Sequence, residues 1–117
     1  MRTINFYTTA QSKSPVQEFL DQLPVRVAQK ALWTFQLIKE VPVISGQYLK
    51  KLDGTDDLWE IRADLGNHAV RFLGFWDSGN LIVLTNGFTK KSAKTPQQEI
   101  EIATERKRDY LLRKPHG

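Results

Sequence analysis

The chain has 117 residues, a formal charge of +4 and no cysteine, which excludes disulfides and thiolate metal sites and fits one domain over residues 1–117. With no long apolar run and no basic-then-apolar leader pattern, a soluble cytoplasmic protein without a membrane span is expected. Residues 1–87 carry nine basic and nine acidic side chains and residues 88–117 carry eight and four, so the excess positive charge falls in the last segment and points to a polyanion partner.

Arg2 to Tyr7 reads as a short strand, with Ile4 and Phe6 alternating against polar neighbours. Ser14 then N-caps a helix with Pro15 at its first position and Gln17 completing a capping box. That helix runs to about Leu23, with Val16, Phe19, Leu20 and Leu23 on one stripe. Pro24 restarts it, and Ala28, Ala31, Leu32, Phe35 and Ile38 continue the apolar face to about Glu40. Val41 to Asp57 holds Pro42, Gly46 and Gly54 and reads as connection, with a turn or extended segment at Tyr48 to Leu52. Three strands follow, Leu58 to Asp64, Ala69 to Trp76 and Leu81 to Phe88, before Thr95-Pro96-Gln97-Gln98 repeats the cap, proline and capping-box pattern. The last helix runs to about Arg113 with Ile100, Ala103, Lys107, Tyr110 and Leu111 along one side. The expected architecture is α+β: an N-terminal strand and a helical hairpin packed on a mainly antiparallel sheet, with a C-terminal helix.

Turn chemistry converts these strands into registers. Gly66-Asn67 as a two-residue loop pairs Leu65 with His68 and Ala63 with Val70, and sets Arg62 opposite Arg71. Ser78-Gly79 as the next loop pairs Phe75 with Ile82, Leu73 with Leu84 and Arg71 with Asn86. Glu60, Arg62, Arg71, Leu73, Asn86 and Phe88 then share the face away from Trp59, Ile61, Val70 and Phe72. Like charges opposite each other destabilise a sheet, so the two arginines are either neutralised by Glu60 and Asp64 or kept for an anion.

With Lys90, Lys91 and Lys94 beyond the third strand, Arg62 and Arg71 form the strongest constellation in the chain. Arginine clamps phosphate bidentately and lysine supplies a mobile point charge, which suits the crowded phosphorane of RNA cleavage by its own 2′-hydroxyl without a metal. The competing reading pairs the arginines with Glu60 and Asp64 and leaves the lysines as solubilising charges at a strand end. His68 and His116 share no metal-ligand spacing with each other or with a carboxylate. Asp56-Asp57 reads as a solvated pair, Trp59 and Trp76 as core, the Glu99 to Arg113 charges as a solvated helix face, and Phe88 as the candidate for base stacking.

Leu58-Trp59-Glu60-Ile61-Arg62, then Val70-Arg71-Phe72, then Gly87-Phe88-Thr89-Lys90-Lys91 with Lys94-Thr95-Pro96 resemble the RelE/ParE toxin superfamily, and most closely its phage-related HigB-like branch. The resemblance covers nearly the whole chain, including Lys51-Leu52 ahead of the strands and Glu99, Ala103 and Arg106 in the last helix. It implies a toxin of a type II toxin–antitoxin pair, a metal-independent endoribonuclease that cuts mRNA on the ribosome, using no cofactor. A helix-turn-helix antitoxin is the implied partner, and DNA is reached only through it. By this resemblance Arg62, Arg71, Lys90 and Lys91 are the catalytic residues around the scissile phosphate, and Glu60, Asn86, Phe88 and Lys94 contact RNA. Asn86 departs from the histidine of many relatives: an amide hydrogen-bonds phosphate but exchanges no proton near neutral pH. Two alternatives remain open at this point, a ParE-like toxin acting on DNA gyrase and a catalytically inactive binding module of the same fold.

Overall fold

The computed structural model describes residues 1–115, and His116 lies outside them. Five strands form one mixed sheet in the order β1-β5-β4-β3-β2, with β1 Thr3–Phe6, β2 Leu49–Lys51, β3 Trp59–Leu65, β4 His68–Trp76 and β5 Leu81–Thr89. Only β1 runs parallel to its neighbour, β5, and the other three pairings are antiparallel. The helices are α1 Pro15–Gln22, α2 Val25–Glu40 and α3 Gln97–Arg113. The α+β architecture read from the pattern is the one observed.

Helix α1 starts as expected, with Ser14 Oγ accepting from Gln17 N at 3.4 Å. The capping box lacks its return half, because the Gln17 amide donates to Asp21 at 2.9 Å. One sheet face carries Ile61, Ala63, Val70, Phe72, Ile82 and Leu84 and packs on Val16, Leu20, Val27, Ala31, Phe35 and Ile38 of α1 and α2. Trp59 and Trp76 lie against this core and meet edge to face at 6.2 Å. Leu32, expected on the buried stripe of α2, is 54% exposed because Val27 and Thr34 point inward in its place. Arg2 fastens β1 to the end of α2, donating from Nη1 and Nη2 to the carbonyls of Ile38, Val41 and Pro42. A cation there satisfies the last carbonyls of a helix and the negative end of its dipole.

The opposite sheet face is covered by α3. Leu73, Phe88, Ala103 and Leu58 make one cluster, and Tyr7, Phe75, Val83 and Tyr110 another. Leu111, expected inside, is 41% exposed. The helix also begins differently from the expected cap: Pro96 holds the N-cap position without a side-chain bond. Thr95 does not cap, since its hydroxyl donates to Glu60 Oε2 at 2.7 Å.

The β3–β4 hairpin has the expected register, Leu65 to His68 and Arg62 to Arg71, with Gly66 at φ +57 in the first loop position, where a type II′ turn requires glycine. The β4–β5 register differs. Asp77 N–H bonds Leu81 O at 2.9 Å, so Ser78-Gly79-Asn80 is a three-residue loop, and Phe75 pairs with Val83 rather than Ile82. A bulge between Leu73 and Gly74 on the β4 side then absorbs Thr85, so that Leu73 pairs with Asn86 and Arg71 with Phe88. A one-residue slip flips every side chain and one extra residue flips them back. The two offsets add to a shift of two residues beyond the bulge, which moves Arg71 from Asn86 to Phe88 but keeps Asn86 and Phe88 on the Arg71 face. Gly74 permits the close approach: a Cβ there would collide with Val83 O and lie 2.9 Å from Leu84 Cδ2.

The C-terminal half of α3 is fixed by two carboxylates. Asp77, 4% exposed at its side chain, receives Lys114 Nζ at 2.6 Å and the Tyr110 hydroxyl at 2.8 Å. Asp109 receives the Tyr7 hydroxyl at 2.5 Å and Arg113 Nη2 at 2.7 Å. Lys114 foremost, and then Tyr110, hold the Asp77 carboxyl below its ordinary value against the opposing effect of burial; Tyr7 foremost, and then Arg113, do the same for Asp109. Burial and Asp77 push the Tyr110 hydroxyl up to about 12. A carboxyl depressed in the folded state contributes stability above its unfolded value, about 3.9 for aspartate, and loses it as pH falls through the lower folded value. Near-UV circular dichroism is therefore expected to fall below about pH 4, with Asp77→Asn removing part of that dependence; a signal flat through this range in the unaltered protein would contradict the anchoring.

Candidate functional site

Three cross-strand rows make up the site face. Glu60, Leu73 and Asn86 form the first, Arg62, Arg71 and Phe88 the second. The ladder continues one residue past β5, where Lys90 N–H donates to Ala69 O at 2.7 Å, and Asp64 pairs with Ala69 from the other side. Asp64, Ala69 and Lys90 are thus the third row, at the end where the basic loop Lys90 to Pro96 leaves the sheet.

The two opposed guanidiniums are held by Glu60. Its Oε1 lies 3.7 Å from both Arg62 Nε and Arg71 Nε, and its side chain is 4% exposed. Both Nε atoms are buried without a hydrogen-bond partner, so the attraction is one of charge at slightly more than hydrogen-bond distance. Glu60 Oε2 meanwhile accepts from Thr95, which ties the base of the lysine loop to the arginine pair. Arg71 is 5% exposed at its side chain and donates from Nη1 to Asp64 Oδ1 at 2.5 Å and to Val70 O at 3.0 Å. Arg62 is 32% exposed.

Of the residues expected at the scissile phosphate, Arg62 is half-buried, Lys90 half-buried and Lys91 exposed, while Arg71 lies beneath the surface. Of those expected to touch RNA, only Lys94 is exposed. Glu60, Asn86 and Phe88 are 3%, 4% and 7% exposed, because α3 lies across their face. Phe88 packs on Leu58, Leu73 and Ala103 and offers no ring for a base. Asn86 is a tether: its Nδ2 donates to Glu99 Oε1 at 2.9 Å and approaches Glu99 O at 3.3 Å. The bulged Thr85 contributes a second tether, its carbonyl accepting from Arg106 Nη1 at 2.9 Å. Both reading signals, the arginine opposition and the carboxylate neutralisation, are therefore present together. The role of Thr95 was hidden behind a capping pattern, and that of Glu99 behind an apparently solvated helix face.

A groove of about 1090 Å³ runs along α3 beside Tyr7, Thr55, Glu101 and Arg106, and none of Arg62, Arg71, Lys90, Lys91 and Lys94 lines it. The accessible cations stand apart from this groove, at the end of the sheet where β5 gives way to the lysine loop. Among the described residues no group of three His, Cys, Asp or Glu is placed to hold a metal ion, and no helix is long and apolar enough to cross a membrane.

The strand–hairpin–meander–helix order is that of a known fold. The model of the family described as "Phage derived protein Gp49-like (DUF891)" matches residues 18–108, and the chain belongs to that family. Among solved structures it is similar to a chain of the archaeal RelE–RelB complex from Pyrococcus horikoshii OT3, with 24% identity, a TM-score of 0.50, and coverage of 79% of this chain and 98% of that one. The fold is therefore RelE-like. A search of curated proteins gave no match.

Removing one partner of a buried ion cluster leaves uncompensated charge, at a cost of about 3–5 kcal/mol, with Arg62's 32% exposure favouring the lower end. Glu60→Gln is expected to lower unfolding free energy by about 3 kcal/mol in urea titration; a change near zero would mean the arginines do not depend on it.

Proposed function

We propose that this protein is the toxin of a type II toxin–antitoxin pair and that it cleaves mRNA on the ribosome. The observation that carries the reading is the gathering of Arg62, Lys90, Lys91 and Lys94 at one end of the sheet, with Arg71 held just beneath. Such a rim contacts successive phosphates of a single strand, and its excess charge stabilises the phosphorane formed when the 2′-hydroxyl attacks. Lys90 and Lys91 also carry protons that can pass to the leaving 5′-oxygen, while the attacking 2′-hydroxyl gives its proton to solvent water. Arg71 lies beneath these cations and, with Glu60, forms the floor of the rim. Because Glu60 and Asn86 are buried, the ribosome aligns the message and the chain supplies charge.

Membership in a phage-derived family and a RelE-like fold support the toxin reading, and the fold relative was solved as a RelE–RelB complex. On that basis the partner is an antitoxin, of helix-turn-helix type in the HigB-like branch, acting in the cytoplasm. One observation favours a second reading, a binding module without chemistry: Asn86, where a proton-exchanging group is common, is engaged with Glu99.

Purified protein added to translating ribosomes is expected to cut the bound message. The variant Lys90→Ala/Lys91→Ala/Lys94→Ala, altered only at partly or fully exposed side chains, should fold normally and lose cleavage at least about tenfold. An uncut message beside an active control toxin would reject the nuclease reading, and growth arrest with DNA damage would point to gyrase. RNA binding without cleavage would leave the binding module.

A further inference from the structure

Arg71 meets an exposed group at its Nη1. Its side chain is 5% exposed, its Nε is enclosed, and its Nη1 donates to Asp64 Oδ1, whose own side chain is 59% exposed. The buried guanidinium is thus capped by an exposed carboxylate. Asp64 sits one residue from the end of β3, with Leu65 between it and the Gly66-Asn67 turn. Its place in the third row matters: Asp64 and Lys90 flank Ala69 from the two neighbouring strands. Strands lie about 4.8 Å apart, so the flanking backbones stand roughly 10 Å apart across a residue with no side chain beyond Cβ. Ala69 thus places no bulk between Asp64 and Lys90, and Arg71 stands in the adjoining row.

Carboxylate and phosphate bind guanidinium through the same oxygen geometry. The Asp64 side of the pair is 59% exposed and screened by solvent, so an arriving anion can exchange with it. We propose that Asp64 is a built-in substitute for the substrate: an RNA phosphate displaces it from Arg71 Nη1 and seats over Ala69 between Arg71 and Lys90. Asp64 thereby sets how readily RNA enters the site. The inference rests on the phosphate-binding reading of the cation rim, and it assigns that rim its deepest contact. No covalent step is involved, since one anion replaces another on the same donor. Asp64 differs in this from Glu60, whose carboxylate is enclosed and engaged with Thr95.

The test is fluorescence anisotropy with a short labelled single-stranded RNA at fixed ionic strength, comparing the unaltered protein with Asp64→Asn, Asp53→Asn, Ala69→Leu and Lys91→Ala. Asp53 is exposed in the loop before β3, so Asp53→Asn makes the same charge change away from Arg71. Asp64→Asn is expected to tighten binding about two- to fivefold, the value of a weak ion pair, with Asp53→Asn unchanged and Ala69→Leu weaker. Equal tightening by both asparagine variants would reduce the effect to general charge and overturn the inference. Unchanged or weaker binding by Asp64→Asn, with Lys91→Ala still impaired, would overturn it and leave the cation rim standing. RNA bound by none of these proteins would remove both.

Discussion

The buried carboxylate of Glu60 is the group on which the site face depends. Hairpin register sets Arg62 opposite Arg71, an arrangement that repels, and Glu60 one row away meets both Nε atoms at 3.7 Å. Its second oxygen takes the Thr95 hydroxyl, so the group that compensates the arginines also fixes where the lysine loop returns to the sheet. Three parts of the chain far apart in sequence are tied through one side chain. The distances matter as much as the partners: at 3.7 Å the pairing is charge without hydrogen bonding, and two N–H donors stay unsatisfied. Buried donors in that state are costly in a core with no other use for them, and they sit beneath the cation rim.

The backbone irregularity in β5 serves the same assembly. A three-residue loop after Asp77 and the bulge at Thr85 each shift the strand by one, so Val83 packs on α3 at one end while Asn86 and Phe88 do so at the other. An unbroken strand would send one of these sets to the α1–α2 side. The bulge also frees the Thr85 carbonyl for Arg106, and Asn86 binds Glu99, so α3 is clamped where the sheet deviates from regularity. By crossing this face, α3 buries Glu60, Asn86 and Phe88 and leaves the cations at its edge.

Much of this was legible in the sequence because it is local. The Gly66-Asn67 turn fixed the Arg62–Arg71 opposition, and alternation fixed which residues share a face. Proline after a serine marked α1 correctly. The β4–β5 pairing was not legible, since Ser78-Gly79 is compatible with loops of two or three residues and bulges leave no period. Burial of Phe88 and Asn86 depends on where α3 lies, a contact between segments that no spacing along the chain encodes. Thr95 matched a capping pattern equally well, and only the nearness of Glu60 decided its role.

Helix α3, the bulge and Glu60 together support the cation rim proposed to receive RNA phosphates. Its most direct test is the side-chain Nε–H signals of Arg62 and Arg71 in nitrogen-15 NMR during titration with a short single-stranded RNA. Both donors lack partners in the free protein, and an arriving phosphate changes the charge balance on each guanidinium. The account predicts that both signals move in saturable fashion, together with the backbone amides of Lys90 and Lys91. Signals that stay in place while RNA binds elsewhere on the chain would contradict it.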